Sequence, residues 1–271
     1  MGLVKVMEMI MAHPDPTGLR VVQVLNLLGA IRMARAERRG EGIPYSKFAP
    51  SDSIKRGVFP SKTGMAILYS PAALLCSSFL LSKLSSPAPD HRLVVFSAAL
   101  TMHYIKRLLE VFFVHKYSGT MEMSVSFTIS LFYVLSSTQL LYAQNISVHQ
   151  VPPSIDLMRL GMLLFVVGMG GNFYHHRLLA NLRKDDKDKD GKKRYVTPQG
   201  GLFTWVVCPH YLFECIDFLG LALIGQTTSA FVVALATFIM LSARSRSTKQ
   251  WYEKKIEGFP KERKAFLPFL F

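Results

Sequence analysis

The sequence predicts an all-α fold, a polytopic membrane helix bundle of about seven transmembrane helices. Half of its 271 residues are hydrophobic, and the mean hydropathy is +0.25, a composition that places the chain in the membrane class. The apolar residues also collect in runs near the roughly twenty residues that a helix needs to cross a hydrocarbon core of about 30 Å.

The runs fall at 17–34, 64–84, 92–114, 122–143, 156–180, 202–224 and 228–246. The first contains Arg20 and Arg32, and its short apolar core from Val21 to Ile31 also fits an interfacial helix. The later runs carry Pro71, Gly161, Gly168, Gly170 and Gly171 without a break in hydropathy. Membrane helices tolerate these residues because neighbouring groups satisfy the freed backbone. The opening segment holds Glu8, Pro14 and Pro16 and lacks a clean apolar core, so it reads as mature chain and not as a secretory signal.

The net charge of +14 is concentrated in particular loops. Residues 35–62 hold Arg35, Arg38, Arg39, Lys47, Lys55, Arg56 and Lys62, residues 183–194 hold seven more Lys and Arg, and the tail after Ala243 is basic. Such clusters belong on the cytosolic side and speak against a nucleic-acid surface. The loop 144–155 has no Lys or Arg and carries the sequon Asn145-Ile146-Ser147, which places it in the lumen and, with seven spans, the amino terminus too. The mixed-charge run from Lys184 to Lys193 reads as a solvated linker. Three cysteines, Cys76, Cys208 and Cys215, have no CxxC spacing and imply no disulfide framework.

Polar residues inside the runs carry the functional signal, because an unpaired polar group in hydrocarbon costs several kcal/mol. At 3.6 residues per turn, His103, Arg107 and Glu110 lie within about 60° of one another, with Lys106 and Tyr104 on the flanks. This stripe faces the bundle interior or a polar cavity; an Arg107–Glu110 pair that merely fixes packing is the simpler alternative. In the fifth run Asn172, His176 and Arg183 share a helix face, and the Gly168–Gly171 cluster marks close helix packing. No strand precedes those glycines, so a Rossmann fingerprint is excluded. In the sixth run Pro209 is expected to interrupt the helix beside His210, Tyr211 and Glu214, freeing backbone for a polar ligand, with Asp217 further along.

Five motifs carry a resemblance: HYIKRLLEVFFVHKYSG at 103–119, GNFYHHRLLANLR at 171–183, TPQGGLF at 197–203, CPHYLFE at 208–214 and WYEKKIEGFPKERKAFLPFLF at 251–271. Over residues 64–271 the chain resembles the steroid 5α-reductase superfamily, in a plant-type form. Its other branches are the very-long-chain trans-2-enoyl-CoA reductases and the polyprenol reductases. The resemblance implies one membrane-embedded reductase domain over 1–271, with an amino-terminal helix and basic cytosolic loop at 1–63. It implies an endoplasmic-reticulum membrane, NADPH as cofactor, and a small apolar lipid substrate with a carbon–carbon double bond conjugated to a carbonyl.

By the same resemblance Tyr104 donates to the substrate carbonyl, and Asn172, Arg183, Tyr195, Glu214 and Tyr252 contact the cofactor. His210 occupies the place of a cofactor-binding asparagine, and Arg107 binds the cofactor phosphate or aligns Tyr104. Three positions depart from the family pattern. Tyr69 stands where steroid reductases have a glutamate two residues before a proline, Lys249 replaces a histidine, and His176 replaces an aspartate. Tyr69 and Tyr211 are therefore further candidate phenols. The surplus of cations in Arg107, Arg183 and Lys249 favours NADPH over NADH. TPQGGLF and the ending FPKERKAFLPFLF favour a 3-oxo-Δ4 steroid or a polyprenol-type substrate, whereas the 103–119 block and CPHY favour an enoyl-CoA. No metal is expected, since the eight histidines make one adjacent pair and no set of di-iron hydroxylase clusters. A lipid-binding protein or transporter is the non-enzymatic alternative.

Overall fold

The computed structural model describes residues 9–11, 17–43, 57–117, 119–182 and 196–270. Seven long helices are present among them: α1 (Thr17–Arg39), α2 (Ser61–Leu84), α3 (His91–Leu109), α4 (Met123–Ser147), α5 (Met158–Leu182), α6 (Pro209–Gly225) and α7 (Thr228–Lys255). Strands β1 (Val58–Pro60) and β2 (Thr120–Glu122) form one short antiparallel ladder, pairing Phe59 with Met121. This ladder ties the start of α2 to the start of α4, at the end of the bundle where α3 finishes.

Three helices, α2, α4 and α7, are long and apolar enough to cross a membrane by length and composition alone. In the others, charged residues interrupt the apolar run or, for α6, the helix is only 17 residues long. The packing is that of a membrane bundle. Large apolar side chains such as Leu74, Phe113, Leu131, Leu163 and Val166 face outward, while Ser97, Ser137, Gln144, Asn172, His176 and Asp217 are buried. A soluble protein seldom presents that much contiguous apolar surface.

Several boundaries differ from the sequence reading. The fourth helix runs to Ser147, so Asn145 lies in its last turn and not in the following loop. The sixth begins at Pro209, not at 202, because residues Gly201–Thr204 form a short 3-10 turn. Pro209 therefore starts a helix and does not break one: proline lacks the N–H that a first turn cannot pair anyway. The π-helical turn Glu110–Val114 continues α3. α1 does not lie across the bundle. It runs alongside α7 in the same direction, with Gln23 donating to Ser229 at one end and Glu37 accepting from Arg244 at 2.6 Å at the other.

The most extensive contact is between α5 and α6, and glycine makes it possible. A Cβ on Gly161 would lie 2.6 Å from the Ile224 nitrogen, and one on Gly168 would lie 2.6 Å from the Asp217 Cα. The expectation of close packing at the Gly168–Gly171 cluster holds at Gly168 and at Gly171, which meets the Phe213 ring, but not at Gly170, which faces open space.

Candidate active site

α3 is the septum of the site. From its inner face Tyr104 turns toward α2 and α4, His103 toward α6, and Lys106, Arg107 and Glu110 toward α5 and α2.

Glu110, 1% exposed, is the centre of the charged network. It accepts from Arg107 Nη1 at 2.8 Å and pairs with the Lys106 ammonium at 3.0 Å and with His176 Nδ1 at 3.1 Å. Spacings of three and four residues on one helix bring Arg107 and Lys106 onto Glu110, and α5 adds His176. The Arg107 guanidinium also donates to the Tyr69 hydroxyl, from Nη2 at 2.8 Å and Nε at 3.2 Å. It thus links α2 to α5 through α3. The simple Arg107–Glu110 pair exists, but as one edge of a larger network.

Lys106 continues the network by donating to Asn172 Oδ1, and Asn172 Nδ2 donates to the His210 carbonyl at 2.8 Å and to Glu214 Oε2 at 3.4 Å. Three of the motifs, on α3, α5 and the start of α6, are brought together here. The second arm is drier. His103 Nδ1 lies 2.6 Å from Asp217 Oδ2, both groups buried, and this contact clamps α3 to α6. The His103 ring stands edge-on to Tyr104, centroids 5.2 Å apart.

Tyr104 is 3% exposed, and its oxygen accepts from Ser137 Oγ of α4 at 3.1 Å. Tyr133 lies between two phenols, stacked on Tyr69 at 5.5 Å and tilted against Tyr104 at 5.8 Å. The stripe on α3 suggested that Tyr104 stands among cations. The structure instead turns its hydroxyl to Ser137, while Arg107 goes to Tyr69, because neighbours in a helix diverge by about 100°.

Tyr211 packs with Tyr252, Ile256, Val207, Cys208 and Phe259 in a second apolar cluster, apart from the one holding Tyr69 and Tyr104. That cluster fixes the tail against the start of α6, helped by the Val207 and Cys208 N–H groups donating to Lys264 and Ala265 carbonyls. The His210 ring is tilted against Tyr211, centroids 4.2 Å apart, and lies 5.4 Å from the His176 ring. Lys249 donates to the Lys261 carbonyl at 2.9 Å. Arg183 and Tyr195 lie outside the described residues.

The sequence reading missed a stripe on α4. Ser126, Ser130, Tyr133 and Ser137 follow a helical i, i+4, i+7, i+11 line on an apolar span. That periodicity was visible, but hydroxyls in membrane helices usually bond back to their own helix and carry little signal. Among the described residues one group, Glu110, His115 and His176, has metal-type donor atoms within 4.8 Å. Arg107 bonds to two of its members, so the counter-charge to Glu110 is already supplied by protein.

The bundle is apolar outside and turns phenols, imidazoles and carboxylates onto one another inside, the build of a membrane-embedded protein with a polar interior site. The profile of the family described as 3-oxo-5-alpha-steroid 4-dehydrogenase matches residues 119–271. The chain is 32% identical over 185 residues to the 3-oxo-5-alpha-steroid 4-dehydrogenase 1 of Rattus norvegicus, covering 65% of this chain and 67% of the relative. It is 31% identical over 172 residues to the very-long-chain enoyl-CoA reductase of Dictyostelium discoideum, covering 63% and 55%. It is 38% identical over 112 residues to the steroid 5-alpha-reductase DET2 of Gossypium hirsutum, covering 41% and 42%. The chain belongs to the 3-oxo-5-alpha-steroid 4-dehydrogenase family and is an oxidoreductase acting on CH–CH groups.

Proposed function

We propose that this protein is a seven-span enzyme of the endoplasmic-reticulum membrane. It uses NADPH to reduce the double bond of a small apolar α,β-unsaturated carbonyl compound, a 3-oxo-Δ4 steroid in the first instance. The whole chain acts as one reductase domain.

The observation that carries the reading is the pairing of two unlike arms across α3. One is a charged arm through Lys106, Asn172, His210 and Glu214; the other is an apolar arm holding the buried phenol of Tyr104. The first arm suits a nicotinamide cofactor. A carboxamide needs both an acceptor and a donor, and Glu214 and the amide of Asn172 offer both at a separation of 3.4 Å, with a cation beside them. Tyr252, Arg183 and Tyr195 are proposed to extend this arm. Arg107 is bonded to Tyr69, Glu110 and His176, so its proposed part is to hold the two arms in register. Preference for a 2′-phosphate then rests on Arg183 foremost.

When bound, the reduced cofactor supplies the hydride, with its electron pair, for the β-carbon of the substrate. The π pair of the double bond would move between the α-carbon and the carbonyl carbon, and the carbonyl π pair would go onto oxygen as an enolate. Tyr104 donates its hydrogen to that oxygen; the enol then takes a proton from solvent on its α-carbon and returns its O–H proton to the Tyr104 oxygen, leaving the saturated ketone. A phenol suits this role because it is a neutral donor at neutral pH, and its burial against His103 and Tyr133 excludes water that would weaken the bond.

A second reading, reduction of a long-chain enoyl-CoA, is favoured by the block at 103–119 and by the Dictyostelium relative. Purified protein in detergent should oxidise NADPH in the presence of a Δ4-3-ketosteroid, faster than with a long-chain enoyl-CoA or a polyprenal, and faster than NADH. Turnover of the enoyl-CoA alone would move the assignment to that branch, and tight cofactor binding with no turnover of any of the three would refute the substrate class. In the same assay Tyr104→Phe should lower turnover by about 10²-fold, the scale of losing one oxyanion donor.

A further inference from the structure

We propose that Ser137 is a positioning residue that aims the Tyr104 hydroxyl, so that the phenol hydrogen is presented to the substrate carbonyl and not consumed inside the bundle. The inference rests on the reading of Tyr104 as the carbonyl donor.

Ser137, like Ser130 with the Ile67 carbonyl, bonds across a helix interface and not back to its own helix. A hydroxyl inside a helix ordinarily gives its hydrogen to the carbonyl one turn back. Ser97 does so to Leu93, Thr138 to Val134 and Ser245 to Leu241. Ser137, with no exposed surface, donates instead across the helix interface to the Tyr104 oxygen at 3.1 Å. A hydroxyl has one hydrogen and two lone pairs. With the Ser137 hydrogen on one lone pair of the phenol, the phenol hydrogen is left for another acceptor.

The ring itself has little freedom. His103 stands against one edge at 5.2 Å, itself fixed by Asp217, and Tyr133 leans on the ring at 5.8 Å. The remaining freedom is rotation of the O–H about the ring bond, and a donor on the oxygen restricts that rotation. Ser137 has a second effect during reaction. As the enolate draws on the phenol hydrogen, charge grows on the phenol oxygen, and a donor already aimed at it stabilises that charge without reorganisation. Ser137 never touches the substrate in this arrangement and acts through Tyr104.

A double-mutant cycle on the full chain in detergent tests this, with whichever of the three substrate classes turns over. Ser137→Ala should lower kcat about tenfold, the factor that one hydrogen bond of ordinary strength is worth. KM and the NADPH dissociation constant should stay unchanged, and Ser137→Thr, which keeps the hydroxyl, should restore most of the rate. In a Tyr104→Phe background Ser137→Ala should cost nothing further, because its target is gone. Additive losses in the double mutant, or full turnover by Ser137→Ala, overturn the inference. Ser137→Cys, close in volume and a poor donor, carries the same expectation and serves if Ser137→Ala does not fold. A neutral Tyr104→Phe defeats the donor reading itself, whereas a crippled Tyr104→Phe beside a neutral Ser137→Ala defeats only the role of Ser137.

Discussion

Glu110 concentrates more charge than any other single residue of the site, and its role follows from the company it keeps. Two cations and an imidazole converge on a carboxylate with 1% of its surface exposed. Removing one member of a buried ion network leaves the others uncompensated, which typically costs about 3–5 kcal/mol. Glu110→Gln should therefore lower the thermal unfolding temperature of the detergent-solubilised protein and weaken cofactor binding as Lys106 and Arg107 repel. An unchanged melting temperature would show that the cations are compensated elsewhere. The sequence revealed that these groups share a stripe, because helical periodicity alone puts 103, 107 and 110 together. It did not reveal partners. Which of His103, Tyr104 and Arg107 meets Asp217, Ser137 or Tyr69 depends on helices more than thirty residues away, and no local signal encodes that.

At the scale of elements, the seam between α5 and α6 sets the distance from Asn172 to His210 and Glu214. Gly168 is the tightest point with a matched control two residues on. A methyl at Gly168 would fall 2.6 Å from the Asp217 Cα and 2.7 Å from the Phe213 carbonyl oxygen, whereas a methyl at Gly170 meets nothing within 4 Å. Backbone atoms cannot swing aside as a side-chain tip can, so Gly168→Ala must push α6 away. Overpacking of this kind costs about 1–3 kcal/mol, and the displacement would lengthen the Asn172 contacts and disturb the His103–Asp217 clamp. We expect Gly168→Ala to lose stability and NADPH affinity together, and Gly170→Ala to match the unmodified protein in both, measured by thermal unfolding and by cofactor titration. Equal behaviour of the two variants would refute the seam. The glycines, the seven apolar runs and the site motifs were all legible in the sequence because hydropathy and small-residue clustering are local. The exact start of α6 was not. Pro209 inside an apolar run reads equally as a kink or as a first turn, and the non-helical residues 205–208 before it, pinned by the tail through Lys264 and Ala265, decide the matter.

At the scale of the whole molecule, the two ends of the bundle are built differently. At one end Gln226, fully buried in a left-handed helix cap, uses its whole side chain to join loops. Its amide donates to the Ile10 and Ile155 carbonyls at 2.7 and 2.8 Å and accepts from Arg92 and the Leu157 N–H, each at 2.8 Å. Arg92 is tied further to Asp156 at 2.7 Å, so the cation there is neutralised within the protein. At the other end lie the β1–β2 ladder and the carboxyl ends of α1, α3, α5 and α7, with Arg38, Arg39, Lys106, Arg107, Lys254 and Lys255 in last turns. The Lys106–Asn172–Glu214 arm lies nearer that same end. Lys and Arg in short loops are retained on the cytosolic side, where a soluble dinucleotide is available, so orientation and cofactor access stand on one argument. In a variant with Cys76, Cys208 and Cys215 replaced, Asp188→Cys should react with an impermeant maleimide added to the cytosolic side of sealed microsomes. Val151→Cys, 74% exposed in the unmodified chain, should react only after the vesicles are opened. The reverse pattern would place the charged arm on the lumenal side and overturn the proposed orientation, and labelling of both sites without permeabilisation would mean that residues 151 and 188 share a side, which is incompatible with one span between them.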